Sequence, residues 1–270
     1  MNEALSKLAD DFFKNTLNSS PTSAIMRGYR EYFDQIEELT EARFDQNLKD
    51  LDKFEKRLNE IDFNNLSNKE KVTHGMLEYA FGSNKDSLLD KSWEFGAGVS
   101  GFTGYLIDYN QQMFIPDLES ADLLLKRLEL YNQFFNQVSL VQKKVLDNNR
   151  VATERNLLRT IDQIESYLKT SLESDPLLLV NFSPEISEED VNSWKDKAKL
   201  IIESYVRPSV NSYLEQLKSE HLPKGRSDTN PGIMWIDGGE DIYLRSLRTF
   251  TGNKDITVKE VHEKGLSEIE

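Results

Sequence analysis

From Thr40 onward, Phe44, Leu48, Leu51, Phe54, Leu58 and Ile61 recur at spacings of three and four, with charged residues between them. Such spacing lays one apolar stripe along an α-helix. The same rhythm returns through most of the chain, so the fold expected is all-α. The next helix opens with Ser67-Asn68-Lys69-Glu70. There the serine hydroxyl can accept from a free amide of the first turn while the glutamate reaches back to the cap. Val72, Met76, Tyr79 and Ala80 are expected on its buried side.

A third helix is expected to start near Asp117 or Ser120, with Leu124, Leu128, Tyr131, Phe135, Val138 and Val145 on one face and Asn148-Asn149 at its end. A partner runs from Val151 to Leu172, with Leu157, Ile161, Ile164 and Leu168 inward. The short connection predicts that the two are antiparallel neighbours. After Asp175-Pro176, the stretch PLLLVNFSP reads as a buried connector, with a lone strand as the other option.

Ser187-Glu188-Glu189-Asp190 begins a long helix reaching Glu220, acidic at its start as the helix dipole favours. Pro208 falls inside it and is expected to kink or split it, because proline lacks the amide and crowds the preceding turn. The Gly/Pro-rich stretch LPKGRSDTNPGIMWIDGGED precedes a short helix carrying Ile242, Tyr243, Leu247 and Phe250. Thr257 and Glu260 form a second capping box, opening a terminal helix with Val258, Val261 and Leu266 on its apolar side. No internal repeat, low-complexity tract or Gly/Ser-rich linker interrupts the series. The expectation is one helical domain over residues 1–270, an antiparallel bundle-like array of long helices with Gly/Pro-rich loops.

A chain of 270 residues, 38% hydrophobic and 30% charged, can bury a sizeable core under a well-solvated surface. Its net charge of −14 and lack of any long basic run argue against nucleic acid and against anionic membrane surfaces. The absence of cysteine excludes disulfides, thiolate zinc sites and cysteine nucleophiles. No segment reaches the roughly 18 consecutive apolar residues of a spanning helix, so no membrane insertion is expected. The opening MNEALSKLADDFF lacks the basic-then-apolar order of a signal peptide, which leaves cytoplasm and periplasm both open.

His262-Glu263 matches the first half of the zinc signature H-E-x-x-H, but position 266 is Leu266. The second imidazole that a helical zinc site needs four residues on is missing. His74 lies mid-helix beside Gly75 and His221 ends the long helix, neither with a second ligand at local spacing. No metal site is expected in this chain. Gly96-x-Gly98-x-x-Gly101 has the form of a dinucleotide fingerprint, but the preceding KSWEF is not a buried strand and Gly104 weakens any helix that follows. It reads as a loop. Asp237, Glu240 and Asp241 cluster where a helix starts and read as dipole and capping residues. No G-x-S-x-G elbow is present. Tyr105, Tyr109 and Trp235 lie in loop-like stretches, where aromatics are binding candidates.

The last third carries a resemblance. Leu222, Pro223 and Arg226, then Gly238, Gly239, Tyr243, Leu247, Arg248 and Thr251, then Glu260, Val261, His262, Gly265, Leu266 and Glu268 follow a fixed pattern. It is similar to the "LP-x-x-R" turn, Gly-Gly-x-x-x-Tyr helix start, Leu-Arg-x-x-Thr and Glu-(Ile/Val)-His-x-x-Gly-Leu-x-Glu helix of the bacterial domain-of-unknown-function 885 family. Pro21-Thr22-Ser23-Ala24 with Gly28 resembles that family's opening. Gly98 to Gly104, Ala121-Asp122 and Arg127-Leu128 resemble its glycine turn and the helix after it.

The resemblance implies a zinc metallopeptidase whose H-E-x-x-P-G-H-type motif lies in a half that follows. This chain is then the N-terminal helical half, with no catalytic or metal residue of its own. Zinc is expected in the full-length parent, and the implied partners are the C-terminal catalytic half and a peptide substrate. This half would supply one wall of the substrate cleft. Tyr243, Arg248 and His262 are its candidates to face substrate: tyrosine or histidine could steady an oxyanion, and arginine could hold a carboxylate. The other reading is a stand-alone, non-catalytic helical module that binds a peptide or protein through its Gly/aromatic loops.

Overall fold

A computed structural model describes residues 2–96, 101 and 109–269; Gly98, Gly104 and Tyr105 lie outside the described residues. Among the described residues the α-helices are α1 (Glu3–Ser19), α2 (Pro21–Met26), α3 (Glu41–Asn59), α4 (Asn68–Leu89), α5 (Leu118–Asp147), α6 (Glu154–Lys169), α7 (Glu188–Ile201), α8 (Arg207–Gln216), α9 (Gly239–Thr251) and α10 (Val258–Ile269). Strands β1 (Phe114–Ile115) and β2 (Asn181–Phe182) pair in parallel. The all-α expectation holds. The chain divides into two compact units, one of Met1–Phe12, Asp45–Ser92 and Thr229–Glu270, the other of Phe13–Phe44 and Trp93–Asp228.

In the first unit, Leu5 and Leu8 of α1, Leu51, Phe54 and Leu58 of α3, Leu66, and Leu77 and Phe81 of α4 form the core. Phe12 sets its ring edge against Phe54 and Phe81, with centroids 5.6 and 4.8 Å away; this geometry suits the ring quadrupoles. The α3 stripe is therefore as its spacing predicts. The face of α4 is not. Leu77 and Phe81 turn inward, while Val72, Met76 and Tyr79 are exposed and Ala80 is half-buried. Apolar residues surround α4, so its own sequence offers no single stripe, and the Phe12–Phe54 cluster selects the face.

The start of α4 is as expected. The Ser67 amide and hydroxyl donate to Glu70 Oε2 at 2.8 and 2.7 Å, and the Glu70 amide donates back to Ser67 Oγ. The Asn2 amide donates to the same carboxylate. These donors, the Ser67 hydroxyl foremost, pull the Glu70 carboxyl down to about 2. Because the folded value lies below the unfolded one, this stabilisation is complete above the ordinary glutamate range and disappears as pH falls towards 2. Glu70→Gln will lower the melting temperature at pH 6 and lower it much less at pH 2, as read by far-UV circular dichroism. An equal loss at both pH values would mean that the carboxylate charge has no part in the cap.

In the second unit, Leu124, Leu128, Tyr131, Phe135 and Val145 of α5 are buried, as are Leu157, Ile161 and Ile164 of α6. Val138 and Leu168 pack at the margin. The two helices are not the close hairpin that their short connection suggests. Helix α5 packs on α7 and α8 alike, and α6 on α8, both of which arrive from later in the sequence. The connector Pro176–Phe182 buries Leu177 and Leu178 as expected, but its end is no lone strand: Asn181 and Ser183 donate amides to Met113 O and Ile115 O at 3.0 and 2.8 Å, which pairs it with β1.

Pro208 does not split the long helix. A π-helical turn, Ile202–Val206, precedes it, with the Arg207 amide reaching back five residues to Ile202 O. The wider turn accommodates the proline ring, and the Ser209 hydroxyl donates to Tyr205 O at 2.6 Å, so the helix continues. A second π turn, Leu217–His221, ends it.

Candidate functional site

The turn from Leu222 to Arg226 is built against the N-terminus of α6. The Arg226 amide donates to Ala152 O at 3.0 Å, the Glu154 amide donates to Arg226 O at 2.9 Å, and Arg226 Nε donates to Val151 O at 2.7 Å. A Cβ on Gly225 would lie 3.1 Å from Glu154 Cα, so glycine permits this approach. Burial pushes the Arg226 guanidinium down from its ordinary value. His221, just before the turn, is fully buried, with Nε2 2.9 Å from Gln142 O and Nδ1 3.3 Å from Gln216 O. Arg226 is thus spent on fixing the turn to the start of α6, while Pro223 faces solvent.

The opening motif meets the motif on α5 in the same way. Arg127, almost completely buried, donates through Nη2 to Thr22 Oγ1 and through Nη1 to Gln35 O. Glu37 accepts from the Thr22 amide at 2.9 Å and hydroxyl at 2.8 Å and lies 3.9 Å from the guanidinium. Thr22 and Arg127 stand out in the sequence as motif positions; Glu37 does not, and no local pattern singles it out.

Gly238, left-handed at φ +71, leads into α9. On α9, Tyr243 and Arg248 are both exposed. Five residues of helix separate their directions by about 140°, so they cannot face one bound group from the same side. Arg248 acts on Asp86, whose carboxyl is raised by burial and lowered in part by the charges of Arg245 and Arg248. Arg245 pairs with Asp90, donating from Nε at 2.6 Å. Tyr79 of α4 donates to Thr249 O at 2.7 Å and Lys254 pairs with Glu78 at 2.8 Å, so polar contacts fix α9 along α4. Asp86 and Asp90, four apart on one helix, and Arg245 with Arg248 were the available signal for this seam.

His262 is exposed on α10. The expected capping box opens that helix: the Thr257 amide donates to Glu260 Oε2 at 2.8 Å and the Glu260 amide to Thr257 Oγ1 at 3.2 Å. Among the described residues, no hydrogen bond, ion pair or ring contact joins any two of Tyr243, Arg248 and His262. Both nitrogens of His221 face main-chain carbonyls, and the His74 ring lies edge-on to Phe63, 5.2 Å away. Among the described residues no group of three or more His, Asp and Glu is gathered to hold an ion, and no helix is long and apolar enough to cross a membrane.

Residues 21–270 match the family described as "Bacterial protein of unknown function (DUF885)". The chain belongs to the DUF885 family. The match takes in Thr22, Arg127, Gly225 and Arg226, whose packing is described above, and the Gly238-Gly239 pair. No curated protein matches the chain. Among solved structures, the chain is similar to "the putative lipoprotein from Colwellia psychrerythraea", with a TM-score of 0.78 and 14% identity. The alignment covers 100% of this chain and 49% of that one, so this DUF885 chain spans about half the length of its structural relative. That likeness establishes the fold.

Proposed function

We propose that this chain is the N-terminal helical half of a zinc-dependent peptidase. The metal is held by residues outside these 270. Its observation of greatest weight is membership of the DUF885 family over residues 21–270, joined to a span of about half of a structural relative's chain. The helical half supplies one wall of a peptide cleft. Tyr243, exposed on α9, can offer a hydrogen bond to a developing oxyanion. Arg248 can hold a peptide carboxylate.

The test uses the natural gene product that contains this chain. Peptide hydrolysis is expected, is expected to stop on chelation, and is expected to fall about 10²-fold in kcat for Tyr243→Phe, the usual loss of an oxyanion donor. Absence of hydrolysis across a peptide library removes the peptidase reading. An unchanged rate in Tyr243→Phe removes that residue's role.

A further inference from the structure

We propose that one face of α10, with His262 inside it, is a docking seam for the polypeptide corresponding to the half of the Colwellia chain that has no counterpart here. The inference rests on the half-protein reading above but not on peptidase activity. On a helical wheel with about 100° per residue, Ile269, His262 and Leu266 lie about 20°, 40° and 80° round from Val258, and Val261 lies about 60° the other way. The five make one apolar arc with an imidazole in its middle. No residue of α10 is buried, and Ile269 is 84% exposed.

Both α9 and the outer face of α4 continue this pattern. Phe250 is 90% exposed, next to the Thr249 carbonyl that Tyr79 binds, and Met76 and Val72 stand exposed one and two turns before Tyr79. An amphipathic helix draws most of its stability from burying its apolar face, and α10 has the capped start and the stripe of such a helix, yet of that stripe only Val261 is even half-buried. The occupant is a continuation of the same protein rather than a second copy. The alignment leaves about half of the relative's chain unmatched while covering all of this one. Two copies each carrying −14 would also repel one another.

Diethyl pyrocarbonate labelling, read peptide by peptide by mass spectrometry, tests this. The reagent needs an accessible imidazole, and the three histidines of this chain differ in exposure, His262 being exposed and His221 fully buried. His262 is expected to react at least tenfold more slowly in the natural gene product than in the 270-residue chain. Leu266→Asp with Ile269→Asp is expected to lower binding of a hydrophobic dye to the 270-residue chain and to raise it in the gene product, where it would undock the seam. Equal His262 labelling in the two proteins, or a gene product that ends at Glu270, overturns the proposal. Protection of His262 in a protein that hydrolyses no peptide would sustain the seam and remove the peptidase reading; hydrolysis with His262 unprotected would do the reverse.

Discussion

Arg127→Ala will cost the second unit about 3–5 kcal/mol, the range for removing one partner from a buried charged network. The guanidinium sits between Thr22 Oγ1, Gln35 O and the Glu37 carboxylate, on elements about a hundred residues apart in sequence. Truncation takes the donor from the Gln35 carbonyl and the Thr22 hydroxyl oxygen and the positive charge from beside Glu37, which keeps the Thr22 amide and hydroxyl; losing partners in such a network carries its own desolvation cost. It also leaves a cavity beside Tyr131, itself buried. For a domain of this size the melting temperature should fall by about 6–20 °C. Arg127→Lys keeps the charge but cannot reach Thr22 and Gln35 together, so it should recover less than half of the loss. Urea unfolding checks both. A change below about 1 kcal/mol for the alanine variant would show that the network does not hold α2 and the 30–40 segment to α5.

The contrast between α3 and α4 shows how far residue spacing reaches. Leu51, Phe54 and Leu58 lie on a helix with one apolar stripe, and the stripe is the buried face. On α4, Val72, Met76 and Tyr79 make as good a stripe as Leu77 and Phe81 do. The choice depends on Phe12 and Phe54, which are distant in sequence. The same limit explains α5 and α6: a short connection suggests that they pair, and α8, about fifty residues later, takes the packing instead. Pro208 announces a disturbance in the long helix but not its form, because a π turn and a break relieve the same clash. At the site, the pattern of motif positions was visible in the sequence, yet what the residues do was not. Arg127 and Arg226 have the chemistry of binding residues and are spent on main-chain carbonyls.

Gly239→Ala should be the most disruptive single methyl in the first unit. A Cβ there would lie 1.8 Å from Ile233 O and 2.7 Å from its carbonyl carbon, with Met234 Cα at 3.0 Å. All three are backbone atoms, so no side-chain rotation relieves the contact. Either the Ile233–Trp235 turn moves away or the first turn of α9 unwinds. Both outcomes give up the burial of Ile236 and Ile242 and the Gly239 amide bond to Ile236 O. The expected cost is on the order of 3 kcal/mol or more, the upper end for overpacking. The neighbouring glycine makes the control. Gly238 has open space around its Cα but φ +71, so Gly238→Ala pays only the left-handed penalty of about 1–2 kcal/mol. Gly238→Asn should pay less, since asparagine tolerates that backbone. Limited proteolysis read by mass spectrometry separates the two cases. Gly239→Ala should open new cleavage sites between residues 229 and 251, whereas Gly238→Asn should leave the parent pattern. If both variants resist cleavage equally, the close approach of Ile233 is not what selects glycine there, and the double glycine would have to be explained by the left-handed turn alone.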